Sequence, residues 1–171
     1  MTGPSARIPR AVVITCSDRA AAGTYPDRSG PYLVQSLRVA GWESADPVVV
    51  PDGDGVARAL GEALAGGPDL ILTTGGTGLG PRDLTPEVTR PLLRAELAGI
   101  AEAIRAAGVA AGVPTAMLSR GLAGVAHGTG PEQATLIVNL PGSLGGCRDG
   151  WAVLAGVLPH ALDQLAGGGH G

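Results

Sequence analysis

The chain has 171 residues, of which 44% are hydrophobic and only 2% aromatic, and it carries a formal net charge of −3. So few aromatic rings leave little for stacking on single-stranded nucleic acid, and a pI near 5.5 gives no basic surface for nucleic acid or an anionic membrane. The length fits one domain with a full aliphatic core, so a small-molecule partner is expected.

Neither a membrane span nor a signal peptide is predicted. No apolar run reaches the roughly 20 residues that a membrane helix needs, and residues 1–10 lack the apolar segment of a signal peptide. We therefore expect a cytoplasmic protein with no membrane or nucleic-acid partner. Cys16 and Cys147 are too few and too far apart for a disulfide framework or a zinc cluster, so both are expected to be reduced thiols.

The first part of the chain alternates apolar strands with amphipathic helices. Residues 10–16 form a continuous apolar run, which is typical of a strand buried on both faces. A helix capped by Ser29 or Gly30 is expected next, and then a second strand over residues 42–50. After a turn at residues 51–54, a helix is predicted whose apolar residues fall at helical spacing: Val56, Leu60, Ala63 and Leu64.

A third apolar strand, residues 69–72, leads into a glycine-rich segment. Four glycines fall within six residues, and we call residues 75–80 the glycine loop. Because glycine has no side chain and adopts dihedral angles that other residues avoid, the backbone here can approach a ligand closely. Thr85 and Pro86 predict a helix start, with Thr85 as its cap, and loop amides beside a helix start suit an anion.

Further elements are predicted in the second half of the chain. In order, they are a helix from Thr85 to a break near Pro91, a helical stripe over residues 100–107, a short strand over residues 114–120, a buried strand over residues 133–140 and a helix over residues 149–166 with a kink at Pro159. His127 is expected in a glycine-rich loop, as a solvated or packed residue rather than a base.

Strands that alternate with helices predict an α/β fold in which a parallel sheet is covered on both faces. We expect a single domain over residues 10–166, with flexible ends at residues 1–9 and 167–171. Ligands of such folds bind outside the carboxyl ends of the strands. The polar clusters of this chain follow predicted strands and lie at residues 17–19, 51–52, 75–83, 119–120 and 141–143. One shared site at that edge of the sheet is therefore predicted.

The glycine loop matches neither of two common phosphate-binding patterns. No Gly-x-Gly-x-x-Gly register fits residues 75–81, and no Lys-Ser/Thr pair follows as in a P-loop. A glycine turn of purely structural use is one alternative, and Asp83 also fits a salt-bridging surface residue. Asp52 fits an ordinary Pro-Asp-Gly turn, and Asp18 and Asp27 share that alternative.

Chemistry favours a functional role for this segment. A site that holds a triphosphate needs amide donors for the phosphates and carboxylates for a divalent cation. The glycine loop supplies the amides, and Asp52 with Asp83 supplies the carboxylates.

These motifs closely resemble the signature of the MoaB/Mog family of molybdenum cofactor biosynthesis, which includes molybdopterin adenylyltransferases and the G domain of gephyrin. The resemblance rests on residues 72–78 and on the segments Pro81-Arg82-Asp83 and Thr85-Pro86-Glu87. It covers nearly the whole chain in the family's order, through Ser17-Asp18-Arg19, Asp27-Arg28-Ser29-Gly30, Val50-Pro51-Asp52, Met117-Leu118-Ser119-Arg120, Asn139-Leu140-Pro141-Gly142-Ser143 and Leu158-Pro159-His160-Ala161.

The resemblance implies a three-layer α/β/α sandwich with a mainly parallel central sheet, usually trimeric. It implies binding of molybdopterin and ATP with Mg²⁺, transfer of AMP to the terminal phosphate of molybdopterin with release of pyrophosphate, and hand-over to a molybdenum-inserting protein. Asp52 and Asp83 match the family's two functional carboxylates, assigned here to Mg²⁺ and phosphate positioning. The residues implied to bind nucleotide or pterin are Ser17, Asp18, Asp27, Thr74, Gly75, Gly76, Thr77, Gly78, Arg82, Ser119, Arg120, Pro141, Gly142 and Ser143.

Some positions depart from the family pattern. Many relatives have Pro-Gly where this chain has Ala98-Gly99, and often Pro or Lys where Leu144 stands. Residues 126–133 lack the basic residue that relatives often carry before the next strand. A non-catalytic molybdopterin-binding or assembly protein is therefore the alternative to an enzyme, and a gephyrin-like scaffold is a third hypothesis.

Overall fold

A computed structural model describes residues 7–127 and 133–167 of the chain. Its strands are β1 (Arg10–Cys16), β2 (Glu43–Ser44), β3 (Val48–Val50), β4 (Leu70–Thr74), β5 (Leu93–Glu96), β6 (Ala123–His127) and β7 (Ala134–Leu140). Its α-helices are α1 (Asp18–Ala21), α2 (Ser29–Val39), α3 (Asp54–Ala65), α4 (Thr85–Thr89), α5 (Ala98–Ala110) and α6 (Leu144–Leu165). Short 3-10 helices cover Arg90–Leu92 and Pro114–Leu118.

The strands of the described residues form one seven-stranded sheet with the order β2-β1-β4-β7-β6-β5, and β3 also pairs with β1. Strand β1 is parallel to β2, β3 and β4, and β4 is parallel to β7. Strands β5 and β6 add an antiparallel edge. The sheet is therefore mainly parallel, as predicted, and β1, β3, β4 and β7 point their carboxyl ends to the same side.

Helices cover both faces of the sheet because its central strands are apolar on both faces. In β4, Leu70 and Leu72 pack in one core cluster, which includes residues of α2, α5 and α6. Ile71 of the same strand packs in a second cluster, which includes residues of α3. Burial on both faces explains why these strands are continuous apolar runs. The predicted three-layer α/β/α fold is confirmed.

Several predicted elements differ from the structure. The strand expected over residues 42–50 is divided into β2 and β3 around Pro47, which has no amide hydrogen to donate to a neighbouring strand. The strand expected over residues 114–120 is wrong: Pro114 begins a 3-10 helix there, and its fixed φ suits a first helical position.

Strands β5 and β6 were not predicted from the sequence pattern. Strand β6 consists largely of small residues, and a Cβ on Gly124 would lie 2.6 Å from the Ala95 carbonyl oxygen of β5. His127 is the exposed last residue of β6 rather than a loop residue. Because β5 and β6 approach each other closely at Gly124, β6 has small residues where a strand usually has β-branched ones.

Two helix starts also differ from expectation. Helix α6 begins at Leu144 rather than near residue 149, because Ser143 Oγ accepts a hydrogen bond from the Gly146 amide at 3.1 Å. Pro159 lies inside this helix, as predicted. Thr85 is the first residue of α4 and not its cap, since its Oγ1 donates to the Gly75 carbonyl at 3.0 Å.

Three sequence expectations fall wholly or partly outside the described residues. The flexible ends predicted over residues 1–9 and 167–171 include residues 1–6 and 168–171, which are not described. In the segment that lacks the expected basic residue, residues 128–132 are likewise outside the described part. Among the helices that are described, none is long and apolar enough to cross a membrane.

A buried polar contact joins the sheet to α4. The Asn139 side chain on β7, 3% exposed, donates through Nδ2 to Thr73 Oγ1 at 3.0 Å and to Thr89 Oγ1 at 3.1 Å. Its Oδ1 accepts from the Leu122 amide at 3.1 Å. Every hydrogen-bonding group of this amide side chain therefore has a partner.

Asn139→Ala is expected to lower the free energy of unfolding by about 2–4 kcal/mol, because it leaves several buried polar groups unpaired. Urea denaturation followed by circular dichroism measures the change. The control is Asp163→Ala on the exposed surface of α6, which should change stability by less than about 0.5 kcal/mol. Equal stabilities for the two variants would contradict the role given to Asn139.

Candidate functional site

Two cavities meet at the glycine loop. The main cavity has a volume of about 660 Å³ and opens at the carboxyl ends of β1 and β4. Its lining includes these predicted site residues: Ser17, Asp18, Asp27, Asp52, Thr74, Gly75, Gly76, Asp83, Gly142 and Ser143. A second cavity has a volume of about 510 Å³. It shares Gly75, Gly76, Asp83, Gly142 and Ser143 with the main cavity and adds Thr77, Gly78, Ser119 and Pro141. Arg82 and Arg120 alone among the predicted site residues line neither.

Gly75 brings three strand ends together. Its φ of +102° is a backbone conformation that side chains disfavour, and a Cβ there would lie 2.1 Å from the Cys16 carbonyl oxygen. A Cβ on Gly142 would lie 3.2 Å from Gly75 Cα, and the Gly75 amide donates to the Leu140 carbonyl at 3.1 Å. The ends of β1, β4 and β7 thus pack backbone against backbone, and the Gly75 amide is not available to a phosphate.

The residues that follow Gly75 are largely buried: Gly76 and Thr77 are buried, and Gly78 is half-buried. Gly76 has a φ of +64°, and a Cβ there would lie 2.2 Å from Thr85 Oγ1 and 2.9 Å from Asp52 Oδ1. Within the described part of the chain, the amides of Gly76, Thr77 and Gly78 donate no hydrogen bond. The glycine loop therefore offers consecutive donors next to a carboxylate.

Asp18 and Asp52 hold each other in place. The Asp18 amide donates to Asp52 Oδ2 at 3.1 Å, and the Asp52 amide donates to Asp18 Oδ1 at the same distance. This reciprocal pair joins the segments that follow β1 and β3. Each carboxylate is consequently fixed at the rim of the main cavity.

Arg82 completes this arrangement from the far side of the glycine loop. Its Nε donates to Asp18 Oδ2 at 2.5 Å, its Nη2 donates to Asp18 Oδ1 at 2.7 Å, and Nη2 also lies 3.3 Å from the Asp52 carbonyl oxygen. The guanidinium of Arg82 lowers the pKa of Asp18. Arg82 lines a separate cavity of about 540 Å³, together with Asp52 and Leu84.

Asp52 carries an unpartnered oxygen. Its Oδ1 is buried and has no hydrogen-bond partner, which holds for no other buried side-chain nitrogen or oxygen in the described residues. Burial raises the pKa of Asp52, and the nearby charges of Asp18 and Asp83 raise it further. A buried acceptor without a donor costs stability, so this oxygen is positioned for something that the folded chain does not itself supply.

Asp83 is enclosed by the glycine loop. Its Oδ2 accepts from the Gly80 amide at 2.8 Å, and a Cβ on Gly78 or on Gly80 would lie 2.8 Å from the same oxygen. The other carboxylate oxygen of Asp83 accepts no hydrogen bond from the described residues. The loop glycines therefore leave room for the Asp83 carboxylate at the junction of both cavities.

Arg120 supports the loop from outside the cavities. Its Nε donates to the Gly78 carbonyl at 2.8 Å, its Nη2 donates to the Asp83 carbonyl at 2.5 Å, and its Nη1 is paired with Glu87. This pairing lowers the pKa of Glu87. The Arg120 amide also donates to the Thr77 carbonyl at 2.9 Å. Arg120 therefore supports the glycine loop by donating hydrogen bonds to backbone carbonyl groups of the loop and of Asp83.

Three predicted binding residues also accept hydrogen bonds from amides at helix starts. Ser17 Oγ accepts from the Ala20 amide at 3.2 Å, and Ser143 caps α6 as described above. Asp27 Oδ1 accepts from the amides of Ser29 and Gly30 at 3.1 and 3.0 Å. The N-cap residue of α2 is Arg28, which makes no capping hydrogen bond with its side chain, so the Asp27 side chain binds the first amides instead. The expected capping by Ser29 or Gly30 is wrong.

Several residues that line the main cavity were not among the predicted site residues, including Arg19, Tyr25, Arg28 and Ser29. Arg19 and the Arg28-Ser29 pair stand inside the motifs quoted above, so their position in the sequence was a usable signal. Tyr25 had no such signal apart from being one of the few aromatic residues.

Both cysteines, Cys16 and Cys147, lie close to the strand ends and are buried. Both are free thiols. Burial raises the pKa of Cys16 from 9.0 to about 12 and also raises the pKa of Cys147. The raised pKa of each thiol disfavours the thiolate that nucleophilic chemistry needs.

Both thiols should resist Ellman's reagent in the native protein at pH 8, because they are buried and protonated. After unfolding in guanidinium chloride, two thiols per chain should react. The absorbance of the released thionitrobenzoate measures both states. Rapid reaction of either thiol in the native protein would show that the site is more open than described.

Asp52→Asn is expected to stabilise the metal-free protein at neutral pH. Because burial raises the pKa of Asp52 above 3.8, the folded state binds this proton more tightly than the unfolded chain does. Ionisation of Asp52 therefore costs stability as the pH rises through the raised pKa, and this cost is absent below pH 3.8.

Urea titrations of variant and wild type in EDTA measure the difference in unfolding free energy. The difference should be near zero at the acid end and should grow in favour of Asp52→Asn as the pH rises to 7. A difference that does not depend on pH would contradict the burial of the ionised carboxylate.

Comparison with known proteins identifies the family to which this geometry belongs. Residues 12–160 match the family described as a probable molybdopterin binding domain. The solved structure of the molybdopterin biosynthesis Mog protein from Mycobacterium ulcerans is 49% identical and matches with a TM-score of 0.84, covering 92% of this chain and 99% of that one.

Curated relatives agree with this assignment. A molybdopterin adenylyltransferase of Pyrococcus furiosus is 35% identical over 88% of this chain and 87% of its own length. A molybdenum cofactor biosynthesis bifunctional protein of Synechococcus elongatus is 41% identical over 94% of this chain, which spans only 49% of that protein. The resemblance seen in the sequence is thereby confirmed, and the chain belongs to the molybdopterin-binding domain family of molybdenum cofactor biosynthesis.

Proposed function

We propose that this chain catalyses the ATP- and Mg²⁺-dependent adenylylation of molybdopterin. The observation that carries the proposal is the buried, unpartnered Oδ1 of Asp52 in a cavity that Asp83 and Gly76 also line; the adjoining second cavity shares Asp83 and Gly76 and adds Thr77 and Gly78. A similar protein that covers most of this chain is named molybdopterin adenylyltransferase, which supports the same reaction.

The residues present fit a Mg²⁺ ion bound together with a phosphate chain. Mg²⁺ is usually held by one or two carboxylates, with phosphate oxygens and water as the other ligands. Asp52 and Asp83 would hold it, and Mg²⁺ when bound would neutralise negative charge on the phosphates. No group of three or more His, Cys, Asp and Glu side chains that could hold a metal occurs over residues 7–127 and 133–167. Substrate oxygens would therefore complete the coordination.

In the proposed reaction, an oxygen of the terminal phosphate of molybdopterin attacks the α-phosphorus of ATP. A new phosphorus–oxygen bond forms, the bond from the α-phosphorus to the oxygen that bridges it to the β-phosphorus breaks, and pyrophosphate leaves. Such a transfer needs alignment and charge stabilisation more than a protein nucleophile. The amides of Gly76, Thr77 and Gly78 would bind phosphate oxygens, and Arg120 would keep those amides in place.

A non-catalytic molybdopterin-binding protein is the second candidate. The observation that favours it is that the guanidinium groups of Arg82 and Arg120 are already engaged, one with Asp18 and the other with Glu87. Neither is therefore free to stabilise a developing phosphate charge. This candidate predicts pterin binding without pyrophosphate release.

The homotrimer, the cytoplasmic location and the hand-over of product to a molybdenum-inserting protein, all expected above, stay predictions. Analytical ultracentrifugation of the purified chain tests the oligomeric state. A single species with the mass of a monomer would contradict the trimer.

Asp52→Asn and Asp83→Asn should each lower the rate of pyrophosphate release from ATP, Mg²⁺ and molybdopterin by at least about a hundredfold, because each removes a charge while keeping the side-chain shape. A coupled pyrophosphate assay measures the rate. The matched control is Asp163→Asn on the exposed surface of α6, which should keep the wild-type rate. Wild-type rates in both site variants would contradict the roles of the two carboxylates.

Calorimetry of molybdopterin binding, together with the pyrophosphate assay, separates the two candidate functions. If the wild-type chain binds molybdopterin but releases no pyrophosphate in the presence of ATP and Mg²⁺, the non-catalytic function is correct and the proposed reaction is wrong.

A further inference from the structure

Tyr25 is an aromatic residue that folding does not explain. The chain has only two Trp and two Tyr and no Phe. Trp42 is 8% exposed, and Tyr32 and Trp151 pack against the core. Tyr25 is 48% exposed and lines the main cavity. An aromatic ring half in water contributes little of the hydrophobic stabilisation that its size would allow.

The backbone around Tyr25 is held firmly. The Arg19 carbonyl oxygen accepts hydrogen bonds from the Thr24 amide at 3.0 Å, from the Tyr25 amide at 3.3 Å and from Thr24 Oγ1 at 3.0 Å. Gly23, with a φ of +70°, allows the chain to turn back over α1. The turn after α1 thus places the tyrosine at the cavity rim.

The side chain of Arg19 also contacts the ring of Tyr25. The guanidinium carbon of Arg19 lies 4.9 Å from the ring centroid of Tyr25. Arg19 is exposed, lines the main cavity and forms none of the ion pairs found among the described residues. A planar cation and an aromatic ring therefore lie together at one rim, and both kinds of group stack on flat heteroaromatic rings.

The main cavity is lined by two kinds of chemistry. Asp52, Asp83 and Gly76 line it with carboxylates and a backbone amide, and Arg19 and Tyr25 line it with flat groups. Its volume of about 660 Å³ is ordinary for a small-molecule site. A ligand that carries both a phosphate chain and a flat ring matches this pair of chemistries.

We propose that Tyr25 and Arg19 form a stacking platform for the fused nitrogen heterocycle of a substrate, either the adenine of the nucleotide or the pterin. The proposal rests on the function proposed above, because it assigns the ring of a substrate of that reaction to the same cavity. Stacking tolerates different rings, so the platform supplies affinity for a flat ring, and the phosphate end supplies the position of the reacting atoms.

Binding by the intact chain tests the proposal without turnover. Isothermal titration calorimetry with Mg²⁺–ATP, with tripolyphosphate and with molybdopterin compares wild type, Tyr25→Leu and Tyr25→Phe. Tyr25→Leu should weaken either ATP or molybdopterin by roughly tenfold, and Tyr25→Phe should keep affinity within about twofold because the ring remains. Tripolyphosphate has no ring, so its binding should not change.

The pattern of losses identifies the ring. A selective loss for ATP assigns the platform to adenine, and a selective loss for molybdopterin assigns it to the pterin. Unchanged affinity for both in Tyr25→Leu would overturn the proposal. An equal loss for tripolyphosphate would also overturn it, since Tyr25 would then act only by shaping the loop.

The chain offers a matched control in a second pair of the same kind. Arg148 is exposed and lies 5.7 Å from the ring centroid of Tyr32, and this pair lines none of the three cavities described above. Arg19→Ala should weaken the same ligand that Tyr25→Leu weakens, by a fewfold, whereas Arg148→Ala should not. Equal effects of the two arginine variants would overturn the platform.

The two proposals fail in different ways. If wild type binds both substrates but releases no pyrophosphate, the proposed reaction fails while the platform is still tested by the affinities. If pyrophosphate release is normal and Tyr25→Leu binds both substrates like wild type, only the platform fails.

Discussion

The site depends on the contact between the Gly75 backbone and the carbonyl of Cys16. A side chain at residue 75 would overlap that oxygen, at 2.1 Å from its Cβ, so β1 and β4 can end side by side only with glycine there. Gly142 brings the end of β7 against the same atoms. This packing of bare backbone brings together the ends of three parallel strands, at the edge of the sheet where ligands of such folds bind.

The carboxylates near this contact differ in how fully they are paired. Asp18 is neutralised by Arg82 and held by Asp52, whereas Asp52 keeps one buried oxygen without a donor. Arg120 uses its guanidinium on carbonyls of the glycine loop, which fixes the loop amides without placing a cation in the cavity. Anionic substrates would therefore meet loop amides and unpaired carboxylate oxygens beside Arg19 and Arg28, which also line the main cavity, and the proposed Mg²⁺ would offset the carboxylate charge.

Sequence reasoning predicted the parts of the fold that depend on local pattern. Strands β1, β4 and β7 are buried on both faces, so each is a continuous apolar run that the sequence pattern predicts. Polar residues at the ends of these strands indicated a shared site at one edge of the sheet. The antiparallel edge was missed because β6 uses small residues where β5 approaches Gly124. The contacts of Asp27 with the first amides of α2 and the support by Arg120 were missed as well, since both depend on partners that only the folded chain brings together.

The unpartnered oxygen of Asp52 also bears on how such a protein changes over time. Selection for a more stable fold alone would favour residues without a buried charge at this position, whereas the role proposed for Asp52 would make selection for the reaction oppose them. Engineering this chain for heat resistance by ranking variants on melting temperature would therefore enrich replacements of Asp52. Retention of the acid in a stabilised variant would record a functional requirement that stability measurements cannot see.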